Sequence, residues 1–182
     1  YLLQLGSKNL TVNDSQTVNK LLHCIGDFER ISDHACNVIK VAQEIYDKKL
    51  EFSDIAKTEI DNLTNATNEI LQLTKTAFET GNVELASKVE PLEQVVDKLI
   101  KKIRAKHFER LSRGVCTIEM GFVLADLLNN YERISDHCSN IAACVIDMAH
   151  RNMNLHESLR ETRESDKDFE EKYRAYAARY AI

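Results

Sequence analysis

Apolar residues recur from Val18 onward as Leu21, Leu22, Ile25, Phe28, Ala35, Val38, Ile39, Ala42 and Ile45, the spacing of one face of a helix. Thr11 with Asp14 three residues on reads as a capping box, so this helix is predicted to start near residue 12 and to end near Lys48. Ser53 is the next N-cap candidate. Ala56, Ile60, Leu63, Thr67, Ile70, Thr74 and Ala77 then alternate four and three apart, as on a bundle helix, with Gly81 as its C′ residue. A third stripe runs through Leu85, Val89, Leu92, Val96, Leu99 and Ile103. Pro91 lies within it and predicts a kink or a restart, because proline lacks the amide donor and crowds the preceding turn. The chain breaks around Ser112 to Gly114, and Thr117 can cap a helix running to about Met148. A short, highly charged helix is expected from Asp166 to Tyr180, and Tyr1 to Leu5 reads as the end of a helix in a longer protein.

An internal repeat overlies this pattern. Glu29-Arg30-Ile31-Ser32-Asp33-His34 returns letter for letter as Glu132-Arg133-Ile134-Ser135-Asp136-His137, an offset of 103 residues. Leu21-Leu22 precedes the first copy and Leu127-Leu128 the second; Asn37 and Asn140 follow them. Six identical consecutive residues in a non-repetitive chain indicate a tandem duplication, at least in part.

Composition narrows the class. With five Gly, one Pro and no Trp in 182 residues, the chain lacks the turns of a β architecture, while 43% hydrophobic residues suffice for a core. The net charge of −5, with Lys and Arg scattered among acids, argues against a nucleic-acid partner. Five cysteines without a Cys-x-x-Cys spacing suggest neither a disulfide framework nor a thiolate zinc site; they read as reduced core residues in a reducing compartment. The longest apolar stretches, Phe122 to Leu128 and Ile141 to Ala149, fall short of the roughly 20 residues of a membrane span, and no signal peptide is visible.

Residues four apart on a helix lie one above the other, so Glu29, Asp33 and Asn37 form one column of oxygen groups and Glu132, Asp136 and Asn140 another. Like charges at this spacing cost a helix roughly 0.2–0.5 kcal/mol each, and partial burial raises the cost. A cation between the carboxylates removes both penalties, and all-oxygen ligation favours hard ions. Glu93 and Asp97, also four apart, can supply the opposite wall of the second site if their helix packs antiparallel to the last one. The bland alternative is a solvated charged face. His34 and His137 are read as orienting or surface residues before ligands, and Arg30 and Arg133 as partners of acids on neighbouring helices. No Glu-x-x-His di-iron spacing and no Gly-rich phosphate loop occurs in either motif, so an enzyme is not expected; a carboxylate-metal enzyme is the weaker alternative.

The string Glu29 to Ala35 with Asn37 resembles the signature helix of PhoU proteins, with Ser32 and Ser135 where Gly is more usual. The resemblance implies an all-α fold of tandem three-helix bundles carrying metal on Glu/Asp-x-x-x-Asp motifs. On it, residues 1–50 are a partial first repeat, 51–150 a complete second one and 151–182 a helical tail. The metal ligands are then Glu29, Asp33, Glu93, Asp97, Glu132 and Asp136, with Asn37, Asn140, His34 and His137 behind them. The ion is iron, manganese, magnesium or zinc. Leu21-Leu22-His23, Lys106 to Leu111, Phe169 to Tyr173 and Tyr180 to Ile182 are further similar to the cytoplasmic C-terminal PhoU-like domain of bacterial type II sodium/phosphate cotransporters. That likeness implies a homodimeric regulatory domain at the cytoplasmic face of the inner membrane, contacting the membrane-spanning part of a phosphate transporter and sensing metal or metal-bound phosphate. A free-standing PhoU adaptor between a phosphate transporter and a sensor kinase is the alternative.

Overall fold

The structure, a computed structural model, describes residues 10–150 and 155–182, and the side chains of these apart from residues 13, 16, 150 and 155–166. The segment Tyr1 to Leu5 lies outside the described residues. Among the described residues the chain is all-helical, with no strand: α1 (Val12–Asp47), α2 (Asp54–Thr80), α3 (Val83–Ala86), α4 (Val89–Ser112), α5 (Ile118–His150) and α6 (Leu155–Arg179). None of the helices is long and apolar enough to cross a membrane, among the described residues.

Local signals set the boundaries. The Thr11–Asp14 capping box is formed in both directions and starts α1. Ser53 accepts the Ala56 amide at the start of α2, and Gly81, in the left-handed region at φ 63°, closes it. Pro91 marks a restart rather than a kink. It falls in the first turn of α4, where its missing amide would have had no helical acceptor, and the short α3 before it is capped by Asn82. The tail helix begins at Leu155, well before the expected Asp166.

Helices α2, α4 and α5 form a three-helix bundle closed by Leu63, Ile70, Leu92, Val96, Ile100, Ile103, Leu124, Leu128 and Ile141, all essentially inaccessible. Glu59, buried between α2 and α4, accepts from Arg110 through both carboxylate oxygens at 3.2 and 2.8 Å and lies 3.2 Å from Lys106. The end of α6 packs on α4: Tyr176 and Tyr180 are buried, and Arg179 and the Tyr180 hydroxyl both donate to Glu69 on α2.

Helix α1 lies along the outside of α5, antiparallel to it. The contacts Lys48–Glu119, His34–Asn130, Asp27–His137 and Lys20–Asp147 run in opposite directions along the two helices. Since these are the two copies of the repeat, the pair is related by an approximate two-fold axis. The copies differ in what covers them. Leu128, Ser135, Cys138, Ala142 and Val145 on α5 are buried under α2 and α4. Their counterparts on α1 by the 103-residue offset, Ile25, Ser32, Ala35, Ile39 and Ala42, are exposed. The same imbalance reaches the cysteines. All five are free, and Cys24 and Cys138 are core residues, but Cys36 is exposed, contrary to the sequence reading.

Candidate functional site

Acids of α4 and α5 come near one another where the two helices pack. Glu93 and Asp97 stand one turn apart on α4, Glu132 and Asp136 one turn apart on α5, and all four are half-buried. Glu93 is pushed up to about 7 from the usual carboxylate range, by burial first and then by the negative charges of Asp97, Glu90 and Asp136, with Lys101 opposing. Asp136 is raised too, chiefly by burial, with Asp97 and Glu132 adding and Arg133 opposing. The acids of the two helices therefore act on each other across the packing seam.

Several of these charges have partners within the chain. Arg104 Nη2 donates to Glu132 Oε2 at 3.1 Å and to Asn129 Oδ1 at 2.6 Å. Lys101 lies 3.4 Å from Asp97, and the Ser139 hydroxyl donates to Glu90. Arg133 pairs at 3.7 Å with Asp136 on its own helix, and Arg30 forms no ion pair among the described residues; the expectation of partners on neighbouring helices fails for both. Lys101, Arg104 and the raised affinity of Glu93 for a proton together offset the repulsion of the four acids. Among the described residues no three His, Cys, Asp or Glu side chains converge closely enough to share one ion. In chemistry the oxygen set suits a hard cation; in geometry Glu132 must first leave Arg104 and the acids draw together.

The first motif stands apart. Glu29 and Asp33 are exposed on α1, with no hydrogen bond or ion pair to another described residue, and Asn37 accepts from Lys40 at 3.1 Å. No helix stands opposite them as α4 stands opposite Glu132 and Asp136.

The two motif histidines meet at the approximate two-fold axis between α1 and α5, so neither is a free surface group. Their rings stack with centroids 5.9 Å apart and planes 23° from parallel. His137 Nδ1 lies 2.8 Å from the Asp27 carboxylate, and His34 Nδ1 lies 2.9 Å from Asn130 Oδ1. A carboxylate only accepts, so the proton is on His137 Nδ1. Asn130 Nδ2 donates back to the Asp126 carbonyl at 2.8 Å, which turns its oxygen toward His34 and fixes that bond in the same sense. Asn140 adds a longer bond to Asp27 at 3.4 Å. Asp27 and Asn130 are themselves related by the 103-residue offset, so each motif histidine holds the residue seven positions before its counterpart. The sequence reading missed Asp27, Asn130, Glu90 and Arg104. Only the first two carried a signal, their equivalent places in the repeat.

An all-helical bundle with a duplicated Glu-Arg-Ile-Ser-Asp-His helix and facing carboxylate pairs is the class this geometry defines, and residues 60–145, which hold both α4 and α5 motifs, match the family model described as PhoU domain. That stretch, just under half of the chain, is similar to a PhoU domain. The chain is 29% identical over 126 residues to the phosphate-specific transport system accessory protein PhoU homolog 1 of Thermotoga maritima, covering 69% of this chain. It spans about half, 53%, of the length of that curated relative. No solved structure matches the chain.

Proposed function

We propose that the chain is a regulatory module of phosphate uptake whose signal is a hard metal ion, or phosphate carried by that ion, at the α4–α5 carboxylates. The observation that carries this reading is the action of Glu93 and Asp97 on Asp136 across the seam of the PhoU-matched segment, with Glu132 one turn from Asp136, where burial and like charge disfavour the charged acids. These four side chains would hold the ion, which is iron, manganese, magnesium or zinc, and which would supply a positive centre able to bind a phosphate oxygen. Asn140 and His137, through Asp27, and His34, through Asn130, hold α1 in register with α5 behind the acids, while Asn37 bonds only Lys40 of its own helix. An ion held there would compete for Glu132 with Arg104, which pairs with it at 3.1 Å.

On this reading α1 is the signature helix of an incomplete first repeat, 51–150 is a complete second repeat and 151–182 is a tail helix. Glu29 and Asp33 are half of a second site, to be completed by helices covering the apolar face of α1. The module acts on the membrane-spanning part of a phosphate transporter at the cytoplasmic face, as a homodimer and without catalysis of its own. The tail and first-motif likenesses favour fusion to a sodium/phosphate cotransporter. The likeness to the Thermotoga accessory protein supports a free-standing adaptor equally well. Several apolar spans of about 20 residues in the upstream reading frame decide for fusion; a short water-soluble extension decides for the adaptor.

The test is uptake of radiolabelled phosphate by cells of the source organism, with the coding segment for residues 51–150 intact or deleted in frame. Expected is a loss of the dependence of uptake rate on external phosphate. An unchanged dependence, with transporter abundance equal in the two strains, contradicts the proposal.

A further inference from the structure

Two free thiols lie together where α1 packs on α5. Cys24, on α1, is 1% exposed, and Cys144, on α5, is half-buried. The Cys144 thiol donates to the Lys20 carbonyl at 3.7 Å, one turn before Cys24. Side chains on a helix lean toward its N-terminus, so the Cys24 side chain lies over that same turn. The neighbouring Cys144 thiol adds to burial in pushing the Cys24 thiol up, as expected of two sulfurs side by side. The Lys20–Asp147 ion pair closes the end of the seam beside them.

The repeat shows how unusual this place is within the interface. By the 103-residue offset, Cys24 corresponds to Leu127 and Cys144 to Val41, both buried. The approximate two-fold axis therefore relates a Leu–Val pair on one side of the stacked histidines to a thiol–thiol pair on the other. Aliphatic packing would serve both ends equally well, whereas only this end can be joined covalently.

We propose that Cys24 and Cys144 form a reversible disulfide that fastens α1 to α5 when a small-molecule disulfide of the oxidised-glutathione type accumulates. The half-buried Cys144 meets the reagent first. Its thiolate attacks one glutathione sulfur, the glutathione S–S bond breaks, and the departing glutathione thiolate takes up the proton that Cys144 released. The Cys24 sulfur then attacks the Cys144 sulfur of the mixed disulfide, and the second glutathione leaves with the Cys24 proton. Two protein thiols are oxidised and one glutathione disulfide is reduced to two thiols. Burial, contact with Cys144 and the Asp27 carboxylate push the Cys24 thiol up to about 12, which makes it a poor first nucleophile and suits it to the second, intramolecular step. The bond would pin α1, and with it Glu29 and Asp33, against the helix that carries Glu132 and Asp136. This inference stands apart from the metal reading and from the fusion question.

The experiment uses the full chain with Cys36→Ser, which removes the exposed thiol that would join two molecules. The reduced protein is treated with oxidised glutathione at about pH 8, where an ordinary thiol is partly ionised. It is then mapped by mass spectrometry without reduction. Expected is a Cys24–Cys144 linked peptide that disappears with dithiothreitol. Cys144→Ala should abolish it, and Cys24→Ala should instead leave glutathione on Cys144. Amide exchange in α1 should slow by about tenfold or more in the oxidised form. Recovery of Cys24 as free thiol, from protein whose circular dichroism is unchanged, overturns the proposal. A linked peptide with α1 exchange unaltered overturns the fastening role.

Discussion

Glu93 is a carboxylate whose charge the fold tolerates poorly. Its pKa is raised to about 7 by burial and by Asp97, Glu90 and Asp136, whereas in the unfolded chain it titrates near 4.5. Between these values the folded state holds more protons than the unfolded one, so stability falls as pH rises through the window and is fully retained only below about 4.5. Glu93→Gln should therefore raise stability at pH 8 by on the order of 1 kcal/mol, after discounting for solvent screening, and the gain should vanish near pH 4.5. Urea denaturation across that range checks it; a variant less stable than wild type at pH 8 contradicts the assignment. Glu59 is the opposite case, a buried acid that is fully paired. Glu59→Ala leaves Arg110 without its bidentate acceptor and should cost about 3 kcal/mol. A cost under about 1 kcal/mol would show that Arg110 finds water instead. Glu93 was legible in the sequence as half of a like-charged pair with Asp97, whereas Glu59 was merely an acid on a helix, because the Arg110 that meets it lies on another helix.

At the level of elements, α1 and α5 have one pattern and two fates. Leu128 is fully buried, and Leu128→Ala should cost about 2–5 kcal/mol. Its repeat counterpart Ile25 is 53% exposed, and Ile25→Ala should cost under about 1 kcal/mol in this chain. Equal costs, measured by thermal denaturation, would mean that the α1 face is covered. The histidine clasp makes a second prediction. A double-mutant cycle on Asp27 and His137 should give a coupling of about 1.5–3 kcal/mol, because one partner is charged, against about 1 kcal/mol for His34 and Asn130. Equal couplings would mean that Asp27 is screened by solvent. The helices themselves were readable because caps and stripes agree: Thr11, Ser53 and Gly81 mark ends that apolar periodicity also marks. Pro91 was ambiguous, since the rule against proline inside a helix does not tell a kinked helix from a first turn. Which face of α1 meets α5 was not readable, because the apolar stripe predicts a core-facing side and the chain instead uses the flank carrying Cys24, Asp27, His34 and Val41.

In the whole molecule, a three-helix bundle carries a fourth helix on its α5 side and a tail helix on its α4 side, and the acidic seam runs between α4 and α5. The 103-residue repeat made the duplication and one wall of the seam legible from Glu132 and Asp136 alone, and helix spacing supplied Glu93 and Asp97 for the other. Arg104 and Lys101 were not foreseen as internal partners, because a basic residue on a charged helix carries no signal of where it points. These two cations and the Glu93 proton are what an ion entering the seam would have to displace. Titration of manganese or ferric iron into chelator-stripped protein at about pH 7.5, followed by metal analysis after gel filtration, tests whether the seam binds a hard cation. A Glu132→Gln, Asp136→Asn variant is run in parallel. Expected is a fixed stoichiometry of retained metal in the wild-type chain, with proton release from Glu93, and loss of both in the variant. Equal retention by the two proteins, or none by either, would contradict it and leave the four acids as surface charge held by Lys101 and Arg104.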